Sequence, residues 1–181
     1  MGNESSIVEL YFKKYVERFI FNDVRTAIKG KANYLAALGI LAYIDYLAKL
    51  SSSDSDSLGR EGEDAVRKRY IGFLRRYMKE YKPYSKVYEV RNGFVHQYFP
   101  PRIRTVSRRE AGRKFGNTGP AIYQREGKWV VVVEPLFEDF KKAALEAKRD
   151  MIRVGDSSFV EGLKRLFETT ESEVLQLSGD P

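Results

Sequence analysis

Apolar residues recur at helical spacing through most of the chain. Ile7, Leu10, Tyr11, Tyr15 and Phe19 keep the rhythm of threes and fours, and Ser6-x-x-Glu9 has the form of a capping box, which predicts a first helix from Ser6 to near Asn22. A second helix is predicted over about residues 32–50. Its segment Leu35–Ala42 is apolar nearly all round, the pattern of a central, buried helix. Ser51–Ser57, built of Ser and Asp, reads as a loop. A third helix follows from about Gly62 to Tyr81, ahead of Pro83. Ser85 can cap a fourth, which Pro100-Pro101 ends. Residues 102–120 read as a basic, glycine-containing connector. Ala121–Gln124 and Trp129–Val133 flank Arg125-Glu-Gly-Lys128 and predict a β-hairpin. Two helices close the chain: one carries Phe137, Phe140, Ala144, Ala147 and Met151, and the other opens on Ser158-x-x-Glu161 and buries Phe159, Leu163, Leu166 and Phe167. The predicted fold is mainly α, a helical bundle over residues 1–101. Residues 102–181, with the connector, the hairpin and the two C-terminal helices, pack onto the same domain.

Composition narrows the chemistry. The chain has 181 residues, 43% of them hydrophobic and 13% aromatic, enough for one well-packed core. The net charge is +7 and the pI about 9.5. All of the surplus lies in residues 60–114, where Lys and Arg outnumber Asp and Glu by 16 to 6. An acidic partner such as nucleic acid suits that balance. Cysteine is absent, which removes disulfides, thiolate metal sites and thiol nucleophiles. A single histidine excludes a multi-histidine metal site within one chain. The N-terminus lacks a basic-then-apolar signal pattern, and the run Tyr34–Ile44 is shorter than the ~20 residues that span a bilayer. A soluble, cytoplasmic chain with no membrane partner is expected.

The one histidine stands in Arg91-Asn-Gly-Phe-Val-His96-Gln-Tyr98, inside the basic block. On a helix Asn92 and His96 share a face, so the Asn92 amide could hold one ring nitrogen and leave the other free. Arg91 and His96 lie roughly 140° apart around the axis. Spacing alone leaves two roles open for the imidazole, a structural one and proton transfer at a phosphodiester.

The string resembles the motif of the HEPN superfamily, in which an arginine, usually followed by a polar residue, precedes a histidine by a short interval. The branch paired with minimal nucleotidyltransferases shows Arg-x4-His-x-Tyr, matched by Arg91, His96 and Tyr98, with Asn92 as the polar neighbour. The likeness covers eight residues in a helical context of about residues 6–100. It implies an antiparallel helical bundle that forms a homodimer, with the two motifs facing each other across a cleft. Many such proteins are metal-independent endoribonucleases, including toxins and defence effectors; others are non-catalytic binding or assembly modules. Carried over by motif, His96 is the acid or base, Arg91 stabilises charge on the phosphorane and Asn92 orients. No cofactor and no metal are implied. RNA is the implied partner, with a nucleotidyltransferase-type antitoxin as a second. Tyr98 would be the target of nucleotidyl transfer, or an aromatic packed on Phe94. About 80 residues follow the motif, more than in the compact toxin-like members.

Arg102, Arg104, Arg108, Arg109, Arg113 and Lys114 come directly after the motif. They suit either the tracking of an RNA backbone or a solvated loop. Tyr70, Tyr77, Tyr81, Tyr84 and Tyr88 interleave with Lys and Arg and suit either base stacking or core packing. Gly112–Gly119 lacks the spacing of a phosphate-binding loop and predicts a turn. A DNA-binding regulator, with the hairpin as a wing, is a third reading of the same basic block.

Overall fold

The computed structural model describes residues 2–51, 62–97, 101–115, 120–154 and 163. The chain is mainly helical with a small three-stranded sheet. The first rod joins α1 (Gly2–Tyr11), a π-helical segment (Phe12–Ile20) and α2 (Phe21–Lys29). The widened turn is visible where the Phe21 N–H donates to the Val16 carbonyl, five residues back. This rod begins before Ser6, so Ser6-x-x-Glu9 lies within the helix rather than opening it, and it runs on past the predicted end near Asn22.

α2 stops at a Schellman turn. The Lys31 N–H donates to the Ile28 carbonyl at 3.0 Å and the Ala32 N–H to the Ala27 carbonyl at 2.9 Å. Lys31 takes the left-handed conformation, φ 59°, that this motif normally gives to glycine.

α3 (Asn33–Leu50) is the central element, packed against α2, α4 (Glu63–Tyr77), α5 (Tyr84–His96) and α7 (Val133–Val154). Ala36, Ala37, Ile40, Leu41, Ile44, Leu47 and Ala48 form its buried stripe. The predicted all-round burial does not hold: Leu35 is 57% exposed. α7 brings Leu136, Phe137, Phe140, Ala144 and Ala147 to the same core, where Phe21 meets Phe137 and Phe140 edge-on at 6.1 and 5.9 Å. Polar clips join α7 to α4 and the turn after it. Tyr81 donates to Asp139 at 2.8 Å, and Arg76 and Tyr77 donate to Asp150 at 2.6 and 3.2 Å. Burial pushes the Tyr77 phenol up to about 12 and raises that of Tyr81 further.

The hairpin falls where the pattern places it. β2 (Ile122–Arg125) and β3 (Lys128–Val132) pair antiparallel around Glu126 and Gly127, both at positive φ as a type I′ turn requires. The connector is more ordered than predicted. It contains β1 (Ile103–Val106), parallel to β3, and α6 (Arg108–Phe115). The sheet order is β1-β3-β2. α6 opens on a capping box: Ser107 Oγ accepts from the Glu110 N–H at 3.2 Å, and the Glu110 carboxylate accepts from the Ser107 N–H at 3.4 Å. Side-chain alternation gives the sheet two buried faces. Val131 joins the main core, while Val130, Val132, Val106 and Ala111 form a small cluster beneath α6. The predicted final helix from Ser158 lies outside the described residues, Leu163 excepted. Among the described residues no helix is long and apolar enough to cross a membrane.

A lysine in the left-handed region costs about 1 kcal/mol relative to glycine. Lys31→Gly should therefore raise the melting temperature by about 2–4 °C in thermal denaturation followed by circular dichroism. An unchanged or lower midpoint would contradict the strained cap.

Candidate functional site

α5 presents two different faces to its surroundings, and the motif is divided between them. Arg91 turns inward. Its Nη2 lies 2.5 Å from Asp45 Oδ2 on α3, and the two side chains are only 13% and 22% exposed. Its guanidinium also sits 5.8 Å from the ring centre of Tyr88, one turn back on α5, and Tyr88 meets the fully buried Tyr70 edge-on at 5.5 Å. Burial raises the Tyr70 phenol well above its ordinary range, with Arg91 pulling the other way. Asp45 Oδ1, Arg91 Nε and Tyr70 OH are buried without a hydrogen-bond partner among the described residues. This polar cluster is thus held mainly by one close ion pair, not by a saturated network.

Arg91 has a second contact. Nη1 donates to Asn92 Oδ1 at 3.0 Å. Guanidinium has only donors, so this bond fixes the amide orientation and leaves the Asn92 NH2 group free to face elsewhere. The Asn92–His96 hydrogen bond that the spacing allows is not made; among the described residues, the one bond of the Asn92 side chain is the one its oxygen accepts from Arg91.

The other face of α5 is one wall of an open cleft of about 510 Å³. Glu89, Asn92, Gly93 and His96, spaced three and four apart, lie along it. The second wall comes from the sheet, through Arg102, Ile103 and Trp129. Arg91 does not line the cleft. His96 is exposed in the last turn of α5 and has no hydrogen-bond or charge partner among the described residues. Tyr34 steadies this end of the helix. Its hydroxyl lies 3.4 Å from the carbonyls of both Phe94 and Gln97, and its ring centre is 4.9 Å from that of Phe94. Across the cleft, the Trp129 N–H donates to the Arg102 carbonyl at 2.7 Å, so strand pairing fixes the sheet wall.

The basic run divides in the same way. Arg102 alone lines the cleft. Arg104 shares a strand face with Val106, whose side chain packs under α6. Arg108, Arg109, Arg113 and Lys114 are exposed on α6 itself, with Lys114 paired to Glu110 at 3.4 Å. These five belong to the side of the sheet that α6 covers. Of the interleaved tyrosines, Tyr70, Tyr81 and Tyr88 are buried, which assigns those three to packing. Tyr98 lies outside the described residues. No group of three or more His, Asp or Glu side chains able to hold a metal occurs among the described residues.

Asp45 and Trp129 are the contributors that motif reasoning passes over. Asp45 does carry a signal: it is the only charge between Tyr34 and Ala48, and a carboxylate in so apolar a stretch requires a partner. For Trp129 the sequence shows only a strand position.

Because His96 is the sole histidine and is exposed, diethyl pyrocarbonate should modify one imidazole per native chain, followed by absorbance at 240 nm, at a rate near that of free imidazole. Reaction that requires prior denaturation would contradict the open site. No protein-family model matches the chain, and no curated protein or solved structure matches it either.

Proposed function

We propose that this chain is a HEPN-like endoribonuclease that cleaves single-stranded RNA by transesterification without a metal, acting as a cytoplasmic homodimer. The observation that carries the reading is the pairing of an exposed, unpartnered His96 with an oriented Asn92 on the wall of an open cleft, opposite Arg102. A phosphodiester fits this arrangement. The ribose 2′-hydroxyl loses its proton to a base as its oxygen attacks phosphorus. The P–O5′ bond breaks as an acid protonates the departing oxygen, leaving a 2′,3′-cyclic phosphate and a 5′-hydroxyl. Two proton carriers are needed, and each chain has one imidazole. A two-fold dimer supplies the second His96.

Within this scheme Arg102 stabilises the developing charge from within the cleft. Arg91 is a positioning residue. It aims the Asn92 amide and does not touch RNA while paired to Asp45. A nucleotidyltransferase-type partner acting on Tyr98, and a role as a toxin or defence effector, extend the same proposal.

The withdrawal of Arg91 favours one alternative, a non-catalytic RNA-binding or assembly module in which the motif guanidinium serves only the fold. The two readings separate in one assay. With chelator present, wild type should cut single-stranded RNA to cyclic-phosphate ends, and His96→Ala should lose about 10²–10⁴ in rate while keeping its RNA affinity. Equal rates for the two proteins would end the nuclease reading. Binding without cleavage by wild type, at any pH or metal content, would establish the alternative.

A further inference from the structure

Two cleft groups have no part in the transesterification, the Trp129 ring and the Glu89 carboxylate. We infer that the cleft selects a guanine base, with Trp129 as its stacking platform and Glu89 as the specificity-determining acceptor. This rests on the cleft being the RNA site proposed above.

Trp129 is half-buried and packs against the main core while lining the cleft. Pairing with Ile103 and the bond to Arg102 hold it on a central strand, so its ring is a preformed surface. An indole face stacks with any nucleobase and gives affinity without selectivity. Selectivity has to come from a group that meets the base edge.

Glu89 is that group. It lies on the same stripe of α5 as Asn92 and His96, seven residues before His96, which is about 10 Å along the axis. That separation is of the order of the distance from the Watson–Crick edge of a nucleotide to its own phosphate. With the phosphate at His96 and Arg102, the base edge falls near Glu89.

A carboxylate offers two adjacent acceptors and no donor. Guanine alone presents two adjacent donors, N1–H and the N2 amino group. Adenine and cytosine each set a ring-nitrogen acceptor beside their single amino donor, and uracil sets its N3–H between two carbonyls. Each of these places an acceptor against a carboxylate oxygen. Lys86 contacts both Glu89 oxygens, at 2.9 and 2.8 Å, and the two side chains are about half exposed, 48% and 55%. Such a surface pair is weak and readily exchanged, and the oxygens retain further lone pairs for a base. The cleft volume, about 510 Å³, is in the range of small-ligand sites.

Trp129 is the only tryptophan of the chain, so its fluorescence reports from the site itself. The four nucleoside 3′-monophosphates should be titrated against the 181-residue chain, with inner-filter correction, and compared by dissociation constant instead of quenching depth. Guanosine 3′-monophosphate should bind about tenfold tighter than the other three. In Glu89→Gln, which keeps one acceptor but turns a donor toward the guanine amino group, that preference should fall to within about threefold. Equal affinities in wild type, no binding at all, or a preference that survives Glu89→Gln would each overturn the inference. Guanine preference in a protein that cuts no RNA would uphold it while the nuclease reading fails. Cleavage indifferent to base would do the reverse.

Discussion

Asp45 and Arg91 face each other across the α3–α5 contact, and much of the arrangement around them follows from that pairing. A carboxylate placed alone in an apolar helix cannot be left without a counter-charge. Arg91 meets it at 2.5 Å and is thereby drawn away from solvent. Once Arg91 points inward, the helical repeat decides the rest. Tyr88, one turn back, goes inward with it, while Glu89, Asn92 and His96 rotate to the open side. The pair thus sets the roll of α5 about its axis. Because each partner is mostly desolvated, loss of either leaves a charge stranded, and that penalty rather than the net worth of the pair keeps the arrangement unique.

The sheet completes what α5 begins. A helix face alone is convex, and a cleft needs a second wall. Parallel pairing of β1 with β3 supplies it, setting Arg102 and Trp129 beside the end of α5. Arg102 precedes the strand, whereas Arg104 lies within it on the Val106 face, the side that α6 covers. Positive charge that looks continuous along residues 102–114 is therefore split by the backbone into one cleft residue and a separate basic surface.

Legibility in the sequence tracked how local the determinants were. The β2–β3 hairpin could be read because Glu-Gly between alternating strands specifies a turn within a few residues. The apolar faces of α3 and α7 were equally plain. β1 was missed because Ile103-Arg-Thr-Val106 is short and becomes a strand only by pairing with β3, over twenty residues away. α6 was missed because its body is polar and contains Gly112, although Ser107-Arg-Arg-Glu110 carried a capping signal that the structure uses. Ser6-x-x-Glu9 carried the same signal but lies inside a helix that extends on both sides of it. At the site, the shared face of Asn92 and His96 was legible from spacing. The diversion of Arg91 was not, because it depends on a partner 46 residues away on another helix.

The central claim, that the Asp45–Arg91 pair sets the roll of α5, is tested most directly by a double-mutant cycle in chemical denaturation using Asp45→Ala, Arg91→Ala and the double variant. Strong coupling is predicted. Each single substitution should cost about 3 kcal/mol, the lower end of the range for a broken buried pair, and the double should cost less than the two singles combined by about 1–3 kcal/mol. Additivity within about 0.5 kcal/mol would mean that the two charges do not hold each other, and the account of how α5 is oriented would be wrong.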